Sequence, residues 1–86
     1  MPEISRFLGI VITMYFNDHN PPHFHVRYDE HRAVIRIDPL EIREGFLPPR
    51  VVGLVLEWAE MRREELRRNW TALATEGTFE RIAPLV

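Results

Sequence analysis

From residue 23 to residue 28, apolar and polar side chains alternate strictly, and a similar pattern follows over residues 32–37, which leaves few folds open to the chain. The first half alternates basic with apolar residues in the order His23, Phe24, His25, Val26, Arg27, Tyr28. After a tight connection at residues 29–31, residues 32–37 alternate again. Successive side chains of a strand point to opposite faces of a sheet. The pattern therefore predicts an antiparallel hairpin with one apolar face and one face that carries His23, His25, Arg27, Arg32 and Arg36.

Two further segments have the composition of β-strands. Residues 10–16 are almost entirely β-branched or aromatic, which favours a strand. Residues 17–22 end that strand, because asparagine, aspartate and two prolines favour a turn. Residues 40–43 are a candidate for a short fourth strand, whereas residues 1–6 are expected to form only a polar lead.

One long helix is predicted over residues 49–75, where apolar side chains recur at intervals of three and four. The members of this stripe are Val51, Val55, Trp58, Ala59, Leu66, Trp70 and Leu73. Arg62 interrupts the stripe, so its guanidinium is expected to reach solvent, an acidic group or a partner. Residues 79–85 form an apolar tail that is expected to dock on the fold or to add an edge strand.

These elements predict one α+β domain over residues 1–86: a small, mainly antiparallel sheet of three to four strands packed against one long C-terminal helix. A chain of 86 residues buries little surface, so a partner or a homodimer is expected. Cysteine is absent, which excludes thiolate metal sites and favours a cytoplasmic location. No apolar run is long enough to span a membrane. The net charge of −2 argues against the whole molecule being an electrostatic nucleic-acid binder.

Groups that titrate near neutral pH are concentrated between residues 15 and 28. Three of the four histidines lie there, beside an aspartate, an arginine and a rigid Pro-Pro pair. His23 and His25 are two residues apart on a predicted strand, so their rings are expected to share a face. The predicted binding surface comprises Tyr15, Asp18, His19, His23, His25, Arg27, Arg32 and Arg36.

Three functions are compatible with this surface. As a binding surface, it would contact the phosphates of RNA or an acidic partner protein. As a small metal-independent ribonuclease, it would use His23 and His25 for proton transfer and Arg27 to stabilise the charge on phosphorus. As a metal site, it would hold a divalent cation on His23 and His25, with His19 or Asp18 as the third ligand. No other cofactor is expected.

The sequence Asp-His-Asn-Pro-Pro-His-Phe-His-Val at residues 18–26, together with Gly-Phe-Leu-Pro at 45–48 and the tryptophans at 58 and 70, resembles a small bacterial family, domain of unknown function 4160. The resemblance covers nearly the whole chain, including Ile-Ala-Pro-Leu at 82–85. Members are often encoded beside a second small protein, of the DUF2442 family, and some are described as toxin–antitoxin components. The resemblance implies a cytoplasmic interaction module of such a pair, which contacts a partner protein or RNA. Members often carry a helix histidine after the tryptophan, where this chain has Met61, Arg62 and Arg63, so a mechanism that needs that histidine is not expected.

Overall fold

A computed structural model describes residues 2–16 and 18–86 of the chain, in which five β-strands precede two α-helices. The parts of the predicted lead and turn that involve Met1 and Asn17 lie outside the described residues. The strands are β1 (Glu3–Phe7), β2 (Ile10–Thr13), β3 (His23–Tyr28), β4 (His31–Arg36) and β5 (Glu41–Gly45). They form one antiparallel sheet in the order β1-β2-β3-β4-β5, so each strand pairs with its neighbours in sequence.

Two-residue turns connect β1 to β2 and β3 to β4. Leu8 and Gly9 have φ values of 51° and 79°, a combination typical of a type I′ turn, whose twist matches that of the flanking strands. In the second turn, Asp29 has a φ of 52°, a left-handed conformation that aspartate adopts more readily than most residues. This short turn sets the register of the second hairpin, in which residues 23–28 lie opposite residues 31–36.

The α+β class and the antiparallel sheet are confirmed, but the sheet has more strands than the three to four predicted. The additional strand is β1, which lies where only a polar lead was expected. Its buried residues Ile4 and Phe7 are three positions apart, which hides the period of two that identifies a strand. The cause is a register shift between Glu3 and Ser5, a bulge that inserts one residue into the alternation. The predicted fourth strand is present as β5.

The predicted long helix consists of two helices, α1 (Pro49–Met61) and α2 (Arg63–Thr75). They are separated by Arg62, whose φ of −115° and ψ of 20° are not helical. Its guanidinium contacts the Glu65 carboxylate at 3.3 Å, so the arginine that interrupts the apolar stripe is paired. Every predicted member of the stripe is buried: Val51, Val55, Trp58, Ala59, Leu66, Trp70 and Leu73.

The helices cover one face of the sheet and leave the other face open. Phe24 and Val26 belong to the same buried cluster as Val55 and Trp58, and the rings of Phe24 and Trp58 lie 6.0 Å apart. Of the opposite side chains of β3, His25 and Arg27 therefore lie on the other face, whereas His23 at the start of the strand still contacts Trp70 of α2. In the described parts of the chain, neither helix has the length and apolar character needed to cross a membrane.

The C-terminal tail docks on the fold without forming a strand. The Ile82 N–H donates to the Ile4 carbonyl at 2.8 Å, and the Ser5 hydroxyl donates to the Ile82 carbonyl at 2.9 Å. On the helix side, Trp58 Nε1 donates to the Ala83 carbonyl at 2.8 Å. The side chain of Ile82 is buried, so the tail closes the core beside β1.

An acid-sensitive ion-pair network connects the segment after β4 to α2. The Asp38 carboxylate accepts hydrogen bonds from Arg67 at 2.7 and 2.8 Å and from Arg63 at 3.3 Å. Hydrogen bonding from Arg67 lowers the pKa of Asp38 below its ordinary value of 3.8, although desolvation opposes the shift. The ionised form is therefore favoured more in the folded than in the unfolded chain.

Replacing Asp38 with asparagine is expected to lower the urea midpoint at pH 7, because the two arginines lose their anion. The stabilisation is present above pH 3.8 and is lost as the pH falls through the lowered pKa of the folded state. The difference between parent and variant should therefore disappear in acid. Asp29→Asn is the matched control, since Asp29 lies in an exposed turn and contacts no cation among the described residues. A difference for Asp38→Asn that persists at the lowest pH would contradict the prediction.

Candidate functional site

Strand register assembles the predicted basic residues on the open face of the sheet. Across β3 and β4, His23 pairs with Arg36, His25 with Val34, and Arg27 with Arg32. Paired residues on neighbouring strands point to the same face. We call the set His23, His25, Arg27, Arg32 and Arg36 the His/Arg face.

The arginines of this face differ in their partners. Arg36 lies 3.4 Å from the Glu41 carboxylate of β5 and is therefore compensated. Arg27 and Arg32 lie directly opposite each other, and in residues 2–16 and 18–86 neither forms an ion pair with a carboxylate. Like charges directly opposite on adjacent strands destabilise a sheet. This arrangement places two positive charges side by side on the sheet.

A groove of about 380 Å³ lies over this part of the sheet. Cross-strand partners form rows that run across the sheet, which we call register rows. One register row across all five strands contributes Glu3, Thr13, His25, Val34 and Glu44 to the groove lining. The next row contributes Val11, Arg27 and Arg32, and Tyr15 also lines the groove. The groove thus has an apolar floor, two guanidiniums that form no ion pair within the described residues, and acidic residues on its outer strands.

The acidic residue on β1 is already neutralised. The Glu3 carboxylate contacts Arg6 at 2.7 Å and Arg81 at 3.1 Å. Hydrogen bonds from Arg6 and then Arg81 lower the pKa of Glu3 to about 2. Glu44 is therefore the one carboxylate in the described groove lining that is not already paired, and the same lining contains Arg27 and Arg32. The groove carries a local excess of positive charge in a molecule whose net charge is −2.

Next to the groove, which His25 lines, two histidines converge on one carboxylate oxygen. Oδ2 of Asp18 lies 2.9 Å from Nε2 of His23 and 3.4 Å from Nε2 of His25. The three ligand atoms all lie within 4.8 Å of one another. The rings are held by aromatic contacts: His23 lies 5.0 Å from Trp70, and His25 lies 4.4 Å from Tyr15, centroid to centroid.

Backbone groups orient both members of the Asp18–His23 pair. The His19 N–H donates to Oδ1 of Asp18 at 2.8 Å, which leaves Oδ2 directed at the histidines. Nδ1 of His23 lies 2.9 Å from the Pro21 carbonyl. Partial burial alone raises the pKa of Asp18, but the His19 N–H and the neighbouring imidazoles of His25 and His23 outweigh it and the pKa is lowered. Asp18 is therefore held as a carboxylate.

The structure brings together most, but not all, of the predicted site residues. Asp18, His23, His25 and Tyr15 form one cluster, and Arg27 lies one register row away on the same face. His19 is exposed, and its ring is not part of the converging group. The third position beside the two histidines therefore belongs to Asp18, which the sequence offered as the alternative to His19. Glu3 and Glu44 were missed, because their positions in the groove depend on pairing with distant strands.

Comparison with known families gives one match, to the family described as domain of unknown function (DUF4160), over residues 9–71. This chain belongs to that family. The matched segment of the DUF4160 protein includes the histidine cluster, the His/Arg face and most of both helices. No curated protein and no solved structure matches the chain.

Proposed function

We propose that this DUF4160 protein is an interaction module that binds an acidic segment of a second small protein through the His/Arg face, as one component of a toxin–antitoxin-like pair in the cytoplasm. The observation that carries the proposal is the Arg27–Arg32 pair in the groove, which has no carboxylate partner in the part of the chain that the structure describes. A carboxylate between the two guanidiniums would remove their repulsion and form charge-assisted hydrogen bonds.

The lining of the groove favours a protein segment over RNA. Among the described lining residues, only Tyr15 and the imidazole of His25 offer an aromatic ring, whereas single-stranded RNA is bound by stacking several successive bases on aromatic side chains. Two unpaired arginines supply few phosphate contacts, and the net charge of −2 opposes the approach of a polyanion. A tyrosine beside arginines is a composition enriched at protein–protein interfaces. Glu44 on the outer strand β5 would pair with a basic residue next to the acidic residue of the bound segment.

The test uses defined probes rather than an unidentified partner. A short peptide with two adjacent glutamates followed by a lysine is titrated into ¹⁵N-labelled protein, beside the same peptide with glutamines in place of the glutamates. We expect the acidic peptide alone to shift the backbone resonances of Thr13, Arg27 and Arg32. Single-stranded oligouridylate is titrated in parallel, and the RNA is then examined for cleavage. Sedimentation analysis of the same sample measures homodimer formation.

Replacing Arg27 and Arg32 with alanine is expected to weaken binding of the acidic peptide by more than about tenfold per arginine, because a hydrogen bond to a charged group contributes about 1.5–3 kcal/mol. Arg50→Ala is the matched control, since Arg50 is exposed at the start of α1, on the helix side of the sheet. The double variant should remain folded because it removes a like-charge pair. Equal binding of both peptides would contradict the proposal, and tighter binding or cleavage of oligouridylate would replace it with an RNA function.

A further inference from the structure

The cluster of Asp18, His23 and His25 has the composition and spacing of a metal-ligand set. Two imidazole nitrogens and one carboxylate oxygen lie within 4.8 Å of one another. The side chains are partly buried, with 12% exposure for His23, 19% for Asp18 and 29% for His25. A cation held there would be shielded from most of the solvent yet reachable past His25. Two histidines and a carboxylate are a ligand set found in zinc sites and in non-heme iron sites.

The hydrogen bonds of His23 orient it as a metal ligand. The Pro21 carbonyl is only an acceptor, so Nδ1 of His23, at 2.9 Å from it, must carry a hydrogen and donate. In the neutral ring, Nε2 then has a lone pair directed at Oδ2 of Asp18, 2.9 Å away. Two lone pairs at that distance repel unless a cation lies between them. Metal-bound histidines characteristically donate their other N–H to a backbone carbonyl or carboxylate in this way.

The position of His25 favours a metal ion over a proton as the cation between His23 and Asp18. A proton on Nε2 of His23 would satisfy Asp18 by itself and would need no second imidazole. Yet Nε2 of His25 lies 3.4 Å from the same oxygen, and Tyr15 packs edge-on against its ring at 4.4 Å. Three ligand atoms within 4.8 Å of one another, on side chains that each have a positioning contact, are what a bound cation requires.

We propose that Asp18, His23 and His25 bind a divalent transition-metal ion, with Zn²⁺ as the ion that suits these ligands. The absence of cysteine makes this an all-nitrogen-and-oxygen site. Three protein ligands leave a coordination position for water or for a donor atom from another molecule. This inference is independent of the proposed peptide binding, because Arg27 and Arg32 take no part in it.

The test measures zinc binding by the intact chain. Protein dialysed against a chelator is titrated with ZnCl₂ in competition with a chromophoric chelator, and Co²⁺ is used to record the visible absorption of the ligand field. We expect one Zn²⁺ per chain and a rise in the thermal midpoint with added zinc. In the parent protein, zinc should shift the ring ¹⁵N resonances of His23 and His25 and leave those of His31 unchanged.

Two variants and two matched controls locate the site. His25→Ala and Asp18→Asn should each weaken zinc binding by more than about 100-fold, since even the loss of a group that only supports a ligand costs 10–100-fold. Asp18→Asn keeps an oxygen that accepts from the His19 N–H, so this variant should fold. It therefore still tests the site if His25→Ala misfolds. His19→Ala and His31→Ala should bind zinc like the parent. The proposal is overturned if the parent binds zinc no more tightly than His25→Ala, or if His19→Ala loses zinc equally.

Discussion

Replacing Trp58 with alanine is expected to destabilise the protein by about 3–5 kcal/mol, the range for removing a large aromatic side chain from a core. Trp58 is fully buried, with its ring 5.6 Å from Phe7 of β1 and 6.0 Å from Phe24 of β3. Its loss leaves a cavity between α1 and two strands. It also removes the hydrogen bond to the Ala83 carbonyl, which holds the tail. For a small domain near the lower end of the usual 5–15 kcal/mol, most of the stability would be lost.

Urea denaturation followed by far-UV circular dichroism measures this effect. Trp58→Phe is the matched variant, because it retains an aromatic ring but cannot donate to Ala83. Its cost should be smaller, near the 1–3 kcal/mol of leaving a buried acceptor unpaired. Solvent protection of the Ile82 amide should fall in both variants, since that amide donates to Ile4 within the same docked tail. A loss below about 1 kcal/mol for Trp58→Ala would show that the tryptophan is not central to the core.

Replacing Gly45 with alanine is expected to detach β5 from the sheet. Gly45 has a φ of 86°, and an added Cβ would lie 2.8 Å from Cα of Ala33 and would also overlap the Arg32 carbonyl oxygen. These are backbone atoms of β4, so the strain cannot be relieved by moving a flexible side chain. The left-handed conformation alone costs an ordinary residue about 1–2 kcal/mol, and the steric overlap adds to this cost. The free energy of unfolding should therefore fall by more than that amount.

Hydrogen exchange of the β5 amides measures the detachment, and urea denaturation measures the total loss. Gly53→Ala is the matched control, since a Cβ at Gly53 meets nothing within 4 Å. Gly53 lies inside α1, where alanine is favoured over glycine by about 0.5–1 kcal/mol. The two substitutions should thus have opposite signs. Unchanged exchange of β5 in Gly45→Ala would contradict the prediction.

His25 connects the two proposed binding functions, because it lines the groove and also belongs to the histidine cluster. A metal ion at the cluster would add positive charge to the groove and offer a coordination position to an acidic ligand. The proposals nevertheless depend on different side chains. The double variant of Arg27 and Arg32 tests the groove while the cluster stays intact, and Asp18→Asn tests the cluster while the arginines stay in place.

The composition of the two sheet faces was predictable from the sequence alone. Strict alternation at a period of two places His23, His25 and Arg27 opposite the core, because successive side chains of a strand point to opposite faces. The short turn at Asp29 then sets the register that brings Arg32 and Arg36 beside them. The helical stripe was predictable for the same local reason, since spacings of three and four share one helix face.

The sequence by itself thus determined the α+β class, both apolar faces and the membership of the His/Arg face, because these follow from backbone periodicity. Only the tertiary structure decided the rest. Strand β1 was masked by its bulge, and the position of the Asp18 carboxylate beside His23 and His25 depends on how the loop before β3 folds back on the strand. The ion pair of Arg36 with Glu41 depends on strand pairing, as does the position of Arg27 and Arg32 opposite each other, with no carboxylate partner among the described residues. Such contacts join residues by position in space, which local sequence patterns do not encode.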